Sequence, residues 1–212
     1  MCWNAAVSLN TFLFSSFALA LIVYNNFFTK YKIQELNSVW IYIFLATVIS
    51  MQLLEFFIWR NIKNKYNNLF STIAFLLLYI QPIVSIMIIT NNQIRNILLL
   101  FYFVLATPYT LYKLSSHKIT SVKSENGHLT WKFNITNYII IGWLFFFLFS
   151  FFYEKQWTIL VFSLITLIII YINYVKYNTV GSIWCWFVNL IMIYYAAYLL
   201  FYLPYLEKRN IC

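Results

Sequence analysis

Charged residues divide this 212-residue chain into seven long uncharged stretches, and no other feature constrains its fold as strongly. Residues 1–29, 36–54, 66–94, 96–112, 133–153, 156–175 and 177–206 contain no Lys, Arg, Asp or Glu. A helix needs about 20 mostly apolar residues to cross the hydrocarbon core of a bilayer, and most of these runs reach that length. A soluble domain is about 25% charged because water must solvate its surface. This chain is 9% charged and 63% hydrophobic, so its surface is suited to lipid. The expected fold is all-α, a seven-helix transmembrane bundle in one domain over residues 1–212, with helices near 6–25, 37–59, 67–90, 96–113, 136–153, 156–175 and 180–203.

The formal charge of +9 suggests nucleic acid until the basic residues are placed. Lys30, Arg60, Lys113, Lys132, Lys155, Lys176 and Lys208 fall at the ends of apolar runs, where they meet lipid phosphate. The expected partner is therefore the lipid bilayer, with no nucleic acid; the oligomeric state is open. The first run lacks the basic start and small-residue cleavage site of a signal peptide, and is read as helix one. Trp40, Trp59, Trp143, Trp157 and Trp184 lie near span ends, as an interfacial aromatic belt places them. Only Glu154-Lys155 separates helices five and six, which predicts a tight hairpin, and Leu114 to Ile135 reads as the one longer loop. Its Asn-x-Thr sequon at Asn134 abuts helix five and is expected to stay unused.

Seven crossings put the termini on opposite faces. The N-terminal face, face A, collects eight basic residues against six on face B, which favours a cytoplasmic face A. The basic flank of helix one, Lys30 and Lys32, lies on face B and argues for the reverse, so the orientation stays open.

Polar residues inside the spans point to a site. Glu55 is the one carboxylate well inside an apolar run, and Gln52 shares its helix face at i−3. Helix seven begins on the same face with Trp184, Cys185 and Trp186, and Asn189 shares a face with Cys185. Cys2, Trp3, His128 and Trp131 also belong to face A, so four segments bring unusual residues to one leaflet. Glu55, Gln52, Asn189 and Gln81 are the candidate ligand or ion path; Trp3, His128, Trp131, Trp184 and Trp186 are the candidate pocket. Each has a plain alternative: Glu55 snorkelling to water or pairing with Arg60 or a loop lysine, the tryptophans as interface anchors, and His128 as a solvated loop residue. Pro82, beside Gln81, frees the Leu78 carbonyl at membrane depth, and Pro108 does the same to Val104. Such breaks either line a cavity or are kinks closed by neighbouring helices.

Several chemistries are excluded by what the spans lack. The last helix has no lysine for a retinal Schiff base, both histidines sit in one loop, and the chain contains no Asp, HExxH, GxSxG or Gly-rich phosphate loop. No enzymatic activity, cofactor or metal is expected. Cys2, Cys185, His128 and Glu55 have acceptable ligand chemistry but no metal-site spacing. Cys2 and Cys185 fall on one face, where a disulfide forms only if that face is extracytoplasmic.

The motifs Met1-Cys2-Trp3 with Ser8, Met51-Gln52-Leu53-Leu54-Glu55, Asn68, Gln81-Pro82, Gly127-His128-Leu129-Thr130-Trp131 and Gly181-Ser182-Ile183-Trp184-Cys185-Trp186 run over nearly the whole chain. In this order they resemble a domain-of-unknown-function family of small polytopic membrane proteins found in bacteria and large DNA viruses. The resemblance implies a seven-helix fold and no particular activity. Richness in Ile, Asn, Lys, Phe and Tyr, whose codons are rich in A and T, suits a viral member, which would occupy a host-cell membrane. Two functions remain: a small channel or transporter for protons, ions or a small solute, or a non-transporting sensor, scaffold or assembly factor that binds a lipid headgroup, small ligand or partner helix at face A.

Overall fold

The structure, a computed structural model, describes residues 4–211, and its helices follow the apolar runs closely. They are α1 (Ala5–Phe28), α2 (Val39–Arg60), α3 (Tyr66–Ile86), α4 (Asn92–Ser116), α5 (Asn137–Tyr153), α6 (Trp157–Tyr174), α7 (Val180–Val188), α8 (Leu190–Ala197) and α9 (Leu203–Ile211). Among the described residues six helical segments are long and apolar enough to cross a membrane; the last runs from Val180 to Arg209, and the apolar α5 is shorter at 17 residues. The chain is thus an all-α bundle of a multi-pass membrane protein.

The bundle is apolar outside as well as inside. Phe17, Leu100, Val104, Ile168, Ile172 and Phe201 all point outward. Such a surface would drive aggregation in water, whereas in lipid it costs nothing. α2 is central, packed against α1, α3 and α7; α3 also meets α4 and α5, and α6 meets α5 and α7. With hydrocarbon on both sides of the transfer, close packing and buried hydrogen bonds must hold the helices together. Ser85 of α3 supplies one such bond, donating to the Phe147 carbonyl of α5 at 2.7 Å. Tyr102 of α4 supplies another, to the Tyr79 carbonyl at 2.7 Å.

Three expectations change. Helix three ends at Ile86 rather than 90, and helix four begins at Asn92 rather than 96, because Asn91 caps it by accepting from the Gln93 and Ile94 amides. Arg95 is therefore a first-turn residue, its guanidinium donating to the Ile89 carbonyl and Asn92, and not a boundary. Helix seven is interrupted twice. At Asn189 the side-chain Nδ2 donates to the Cys185 carbonyl at 2.7 Å, competing with the regular ladder. At Tyr198–Tyr202 one wide turn lets the Leu203 amide reach the Tyr198 carbonyl, immediately before Pro204, which has no amide to donate. Helical structure then continues to Ile211, beyond the expected end at 203.

The third change is the supposed loop between α4 and α5, which contains a β-hairpin. β1 (Thr120–Lys123) pairs antiparallel with β2 (Leu129–Lys132), Ser121 opposite Trp131. Gly127 in the turn has φ +84°, a conformation that side chains with a Cβ resist. The predicted hairpin between α5 and α6 is present and turns on Lys155 at φ +56°.

Candidate functional site

The β-hairpin is fastened across the face-A end of the bundle. Asn67, in the first turn of α3, treats β1 as a neighbouring strand would: its Nδ2 donates to the Ser121 carbonyl at 2.9 Å and its Oδ1 accepts from the Ser121 amide at 3.0 Å. Asn68 donates to the Ile119 carbonyl at 2.8 Å, and the Ser71 and Ser121 hydroxyls are 2.9 Å apart. On the other side Asn126 donates to Thr179 Oγ1, Ser124 to the Tyr177 carbonyl, and Ser182 of α7 to the Leu129 carbonyl at 2.7 Å. β2 brings Trp131 onto Gly181, where a Cβ would lie 2.8 Å from the indole Cζ3. Only glycine permits that approach.

Under this cover lie the polar residues of α2 and the seventh helical segment. Helix rise places Glu55 ~7 Å and Gln52 ~12 Å from the face-A end of α2. Cys185 is ~7 Å and Asn189 ~13 Å from the start of α7. The two segments run antiparallel and α7 packs on α2, so Glu55 pairs in depth with Cys185, and Gln52 with Asn189. The Glu55 carboxylate acts electrostatically on the Cys185 thiol, which is buried and free. Gln52 and Glu55 are both 0% exposed, so Glu55 does not snorkel to water. Neither polar atom of the Gln52 amide has a hydrogen-bond partner, nor does Asn189 Oδ1, and the indole nitrogens of Trp59 and Trp131 in the same region are likewise unbonded. Buried polar groups normally find partners, and leaving one without costs ~1–3 kcal/mol. Five such atoms, from Gln52, Asn189, Trp59 and Trp131, lie in this one region.

The other expected residues sit in different surroundings. Trp184 is buried, stacks edge-on to Trp143 and Phe147, and donates to the Ser163 carbonyl and Thr166 of α6, so it belongs to the bundle core and not to the membrane interface. Trp186 ties α7 to α1 by donating to Thr11 Oγ1 at 2.9 Å. His128 is buried rather than solvated, edge-on to Tyr174, and burial pushes its pKa down. Gln81 lies away from Glu55, with Nε2 3.4 Å from the Thr47 carbonyl of α2. The Leu78 carbonyl freed by Pro82 accepts from Trp143 Nε1 at 2.7 Å, so α5 closes that break. Cys2 and Trp3 lie outside the described residues. Among the described residues no group of three His, Cys, Asp or Glu side chains gathers as a metal site would require.

What the sequence did not reveal is the role of Asn67, Asn68 and Ser71 in holding the hairpin. Two adjacent asparagines at a helix start read as capping residues, and nothing local shows that a strand from 50 residues further on will dock there. Comparison with protein families, with characterised proteins and with solved structures returns no match.

Proposed function

We propose that this multi-pass membrane protein crosses the bilayer seven times and binds a small polar solute in the face-A leaflet, between α2 and α7 beneath the β-hairpin. The unbonded Gln52 amide, fully buried ~12 Å along its helix, carries this reading. It offers a donor and an acceptor, Asn189 Oδ1 offers an acceptor at matching depth, and Glu55 adds a carboxylate. A solute with both donors and acceptors, neutral or cationic, answers that set. Seven crossings follow if α5, ~25 Å long, spans with help from local thinning of the bilayer. Of the motifs that resemble the uncharacterised family, those at 51–55, 127–131 and 181–186 come together at this end through α2, β2 and α7, which is consistent with a site there.

Recognition is favoured over transport because the features expected to continue a path below the site are closed by protein. Trp143 occupies the Leu78 carbonyl, and Gln81 turns toward the α2 backbone. The transport reading rests on Glu55, the only carboxylate inside the spans before α9, together with the prolines inside α3 and α4, Pro82 and Pro108.

Gln52→Leu separates a ligand site from ordinary structure. Removing an unbonded buried amide while keeping its volume should raise thermal stability and abolish the thermal shift produced by any hit from a panel of small amines, amides and polyols. Loss of stability in this variant would mean that the amide is structurally engaged, and the proposal would fall. Flux of protons, ions or small solutes from liposomes above the empty-vesicle level, lost in Glu55→Gln, would instead establish transport.

A further inference from the structure

On the opposite face the connection between α1 and α2, the start of α6 and the end of α8 border a half-open cleft of about 360 Å³ lined by Lys32, Ile33, Glu35, Thr158, Tyr194, Tyr195 and Tyr198. That volume falls in the range of small-ligand clefts, ~300–1,000 Å³. Glu35 is held in place: Oε1 accepts from the Thr158 hydroxyl at 3.0 Å and Oε2 from the Tyr195 hydroxyl at 3.1 Å. The loop that carries it is fixed in turn by Asn26, whose Oδ1 accepts from the Ile33 amide at 2.7 Å and whose Nδ2 donates to the Leu36 carbonyl and Tyr42. The tyrosines form a connected aromatic wall, with Tyr194 against Tyr195 at 5.3 Å and against Tyr198 at 6.0 Å between ring centroids. The wide helical turn begins at Tyr198, a kind of irregularity frequent at functional sites. Lys32 stands at the exposed side and makes no ion pair among the described residues.

We propose that this cleft binds a phosphocholine group, its quaternary ammonium against the tyrosines and Glu35 and its phosphate at Lys32. Three aromatic rings beside one carboxylate suit a cation that has no hydrogen-bond donors. A primary ammonium needs several acceptors, whereas both Glu35 oxygens already accept bonds from the protein. The lysine supplies the complementary charge for the phosphate of a zwitterion. Both a phospholipid headgroup and free phosphocholine present this chemistry, and the site lies at the membrane end where headgroups reside. It is independent of the α2–α7 site.

The test uses the full chain purified in a maltoside detergent, which contains no choline. Phosphocholine, choline, phosphoglycerol and a six-carbon-chain phosphatidylcholine below its micelle concentration are titrated by calorimetry. Saturable binding of both phosphocholine and the short-chain lipid supports the site with either source; binding of the lipid alone supports it with a membrane source. Glu35→Gln and Tyr198→Leu should each weaken binding about tenfold. Lys32→Ala should weaken phosphocholine but spare choline, and Lys155→Ala, on the same face, should change neither. If Glu35→Gln does not fold, Tyr198→Leu carries the comparison. No saturable binding, equal binding of phosphoglycerol, or affinity unchanged in Tyr198→Leu would overturn the assignment.

Discussion

Replacing Asn67 with Leu tests whether the hairpin is held over the bundle by side-chain mimicry of a strand. The substitution nearly conserves volume but removes four hydrogen bonds: Nδ2 to the Ser121 and Ile62 carbonyls, and those that Oδ1 accepts from the Ser121 amide and the Ser71 hydroxyl. Ser121 is 1% exposed, so its backbone amide and carbonyl lose these partners where water cannot replace them. Each buried orphan costs ~1–3 kcal/mol, giving about 3 kcal/mol for the pair after the gain from burying Leu. For a chain of this size each kcal/mol shifts Tm by about 2–4 °C, so a fall of about 6–12 °C is expected. Thermal unfolding in detergent measures that shift, and hydrogen exchange at the Ser121 amide should lose its protection, since a hairpin released at one edge opens locally before the bundle unfolds. Asn67→Asp, which keeps the acceptor and loses the donor, should lie between the two. A Tm within about 2 °C of wild type with Ser121 still protected would refute the account of how the cover is held.

Other perturbations probe separate parts of the argument. Gly181→Ala forces a Cβ to within 2.8 Å of the Trp131 ring and should displace the indole, red-shifting tryptophan emission and costing about 1–3 kcal/mol; unchanged emission would show that the approach is not tight. Trp143→Phe keeps an aromatic ring against Phe147 but strips the donor from the Leu78 carbonyl beside Pro82, so Tm should fall by several degrees, and no fall would mean that another group closes the break. Burial lowers the pKa of His128 below its ordinary 6.5, so the unfolded chain binds the extra proton first. Stability should therefore be constant above that value and decline as pH falls below it, with the slope reduced in His128→Asn; a pH-independent Tm for the wild type between pH 7 and pH 5 would contradict this.

The two ends of the site differed in how legible they were. Glu55 and Gln52 stood out in the sequence because a carboxylate and an amide three residues apart in an apolar run are costly, and helical spacing alone puts them on one face. Cys185 and Asn189 followed from the same arithmetic. Trp184 and Trp186 did not: proximity to a span end made them look like interface residues, but their neighbours on α6 and α1 turn one into core and the other into a tie between helices. Which helices pack against α7, here α6 and α1, decides this, and the local spacing of residues 180–188 carries no record of neighbours so distant in sequence. For His128, read as a pocket residue with a solvated loop position as the alternative, burial comes from folding of the hairpin onto α3 and α7.

The all-α architecture and the approximate limits of its helices were contained in the chain itself, because in hydrocarbon every backbone group must bond within its own segment and charge can sit only at the ends. The hairpin, the interruptions at Asn189 and Tyr198, and the placing of Glu35 beside the tyrosines of the last helix came only from the tertiary structure. Each depends on groups brought together from distant parts of the chain: Asn67 with Ser121, Trp143 with Leu78, Glu35 with Tyr195. Local periodicity carries no record of such encounters, since side-chain hydrogen bonds across the bundle depend on which helices are neighbours and how each is turned.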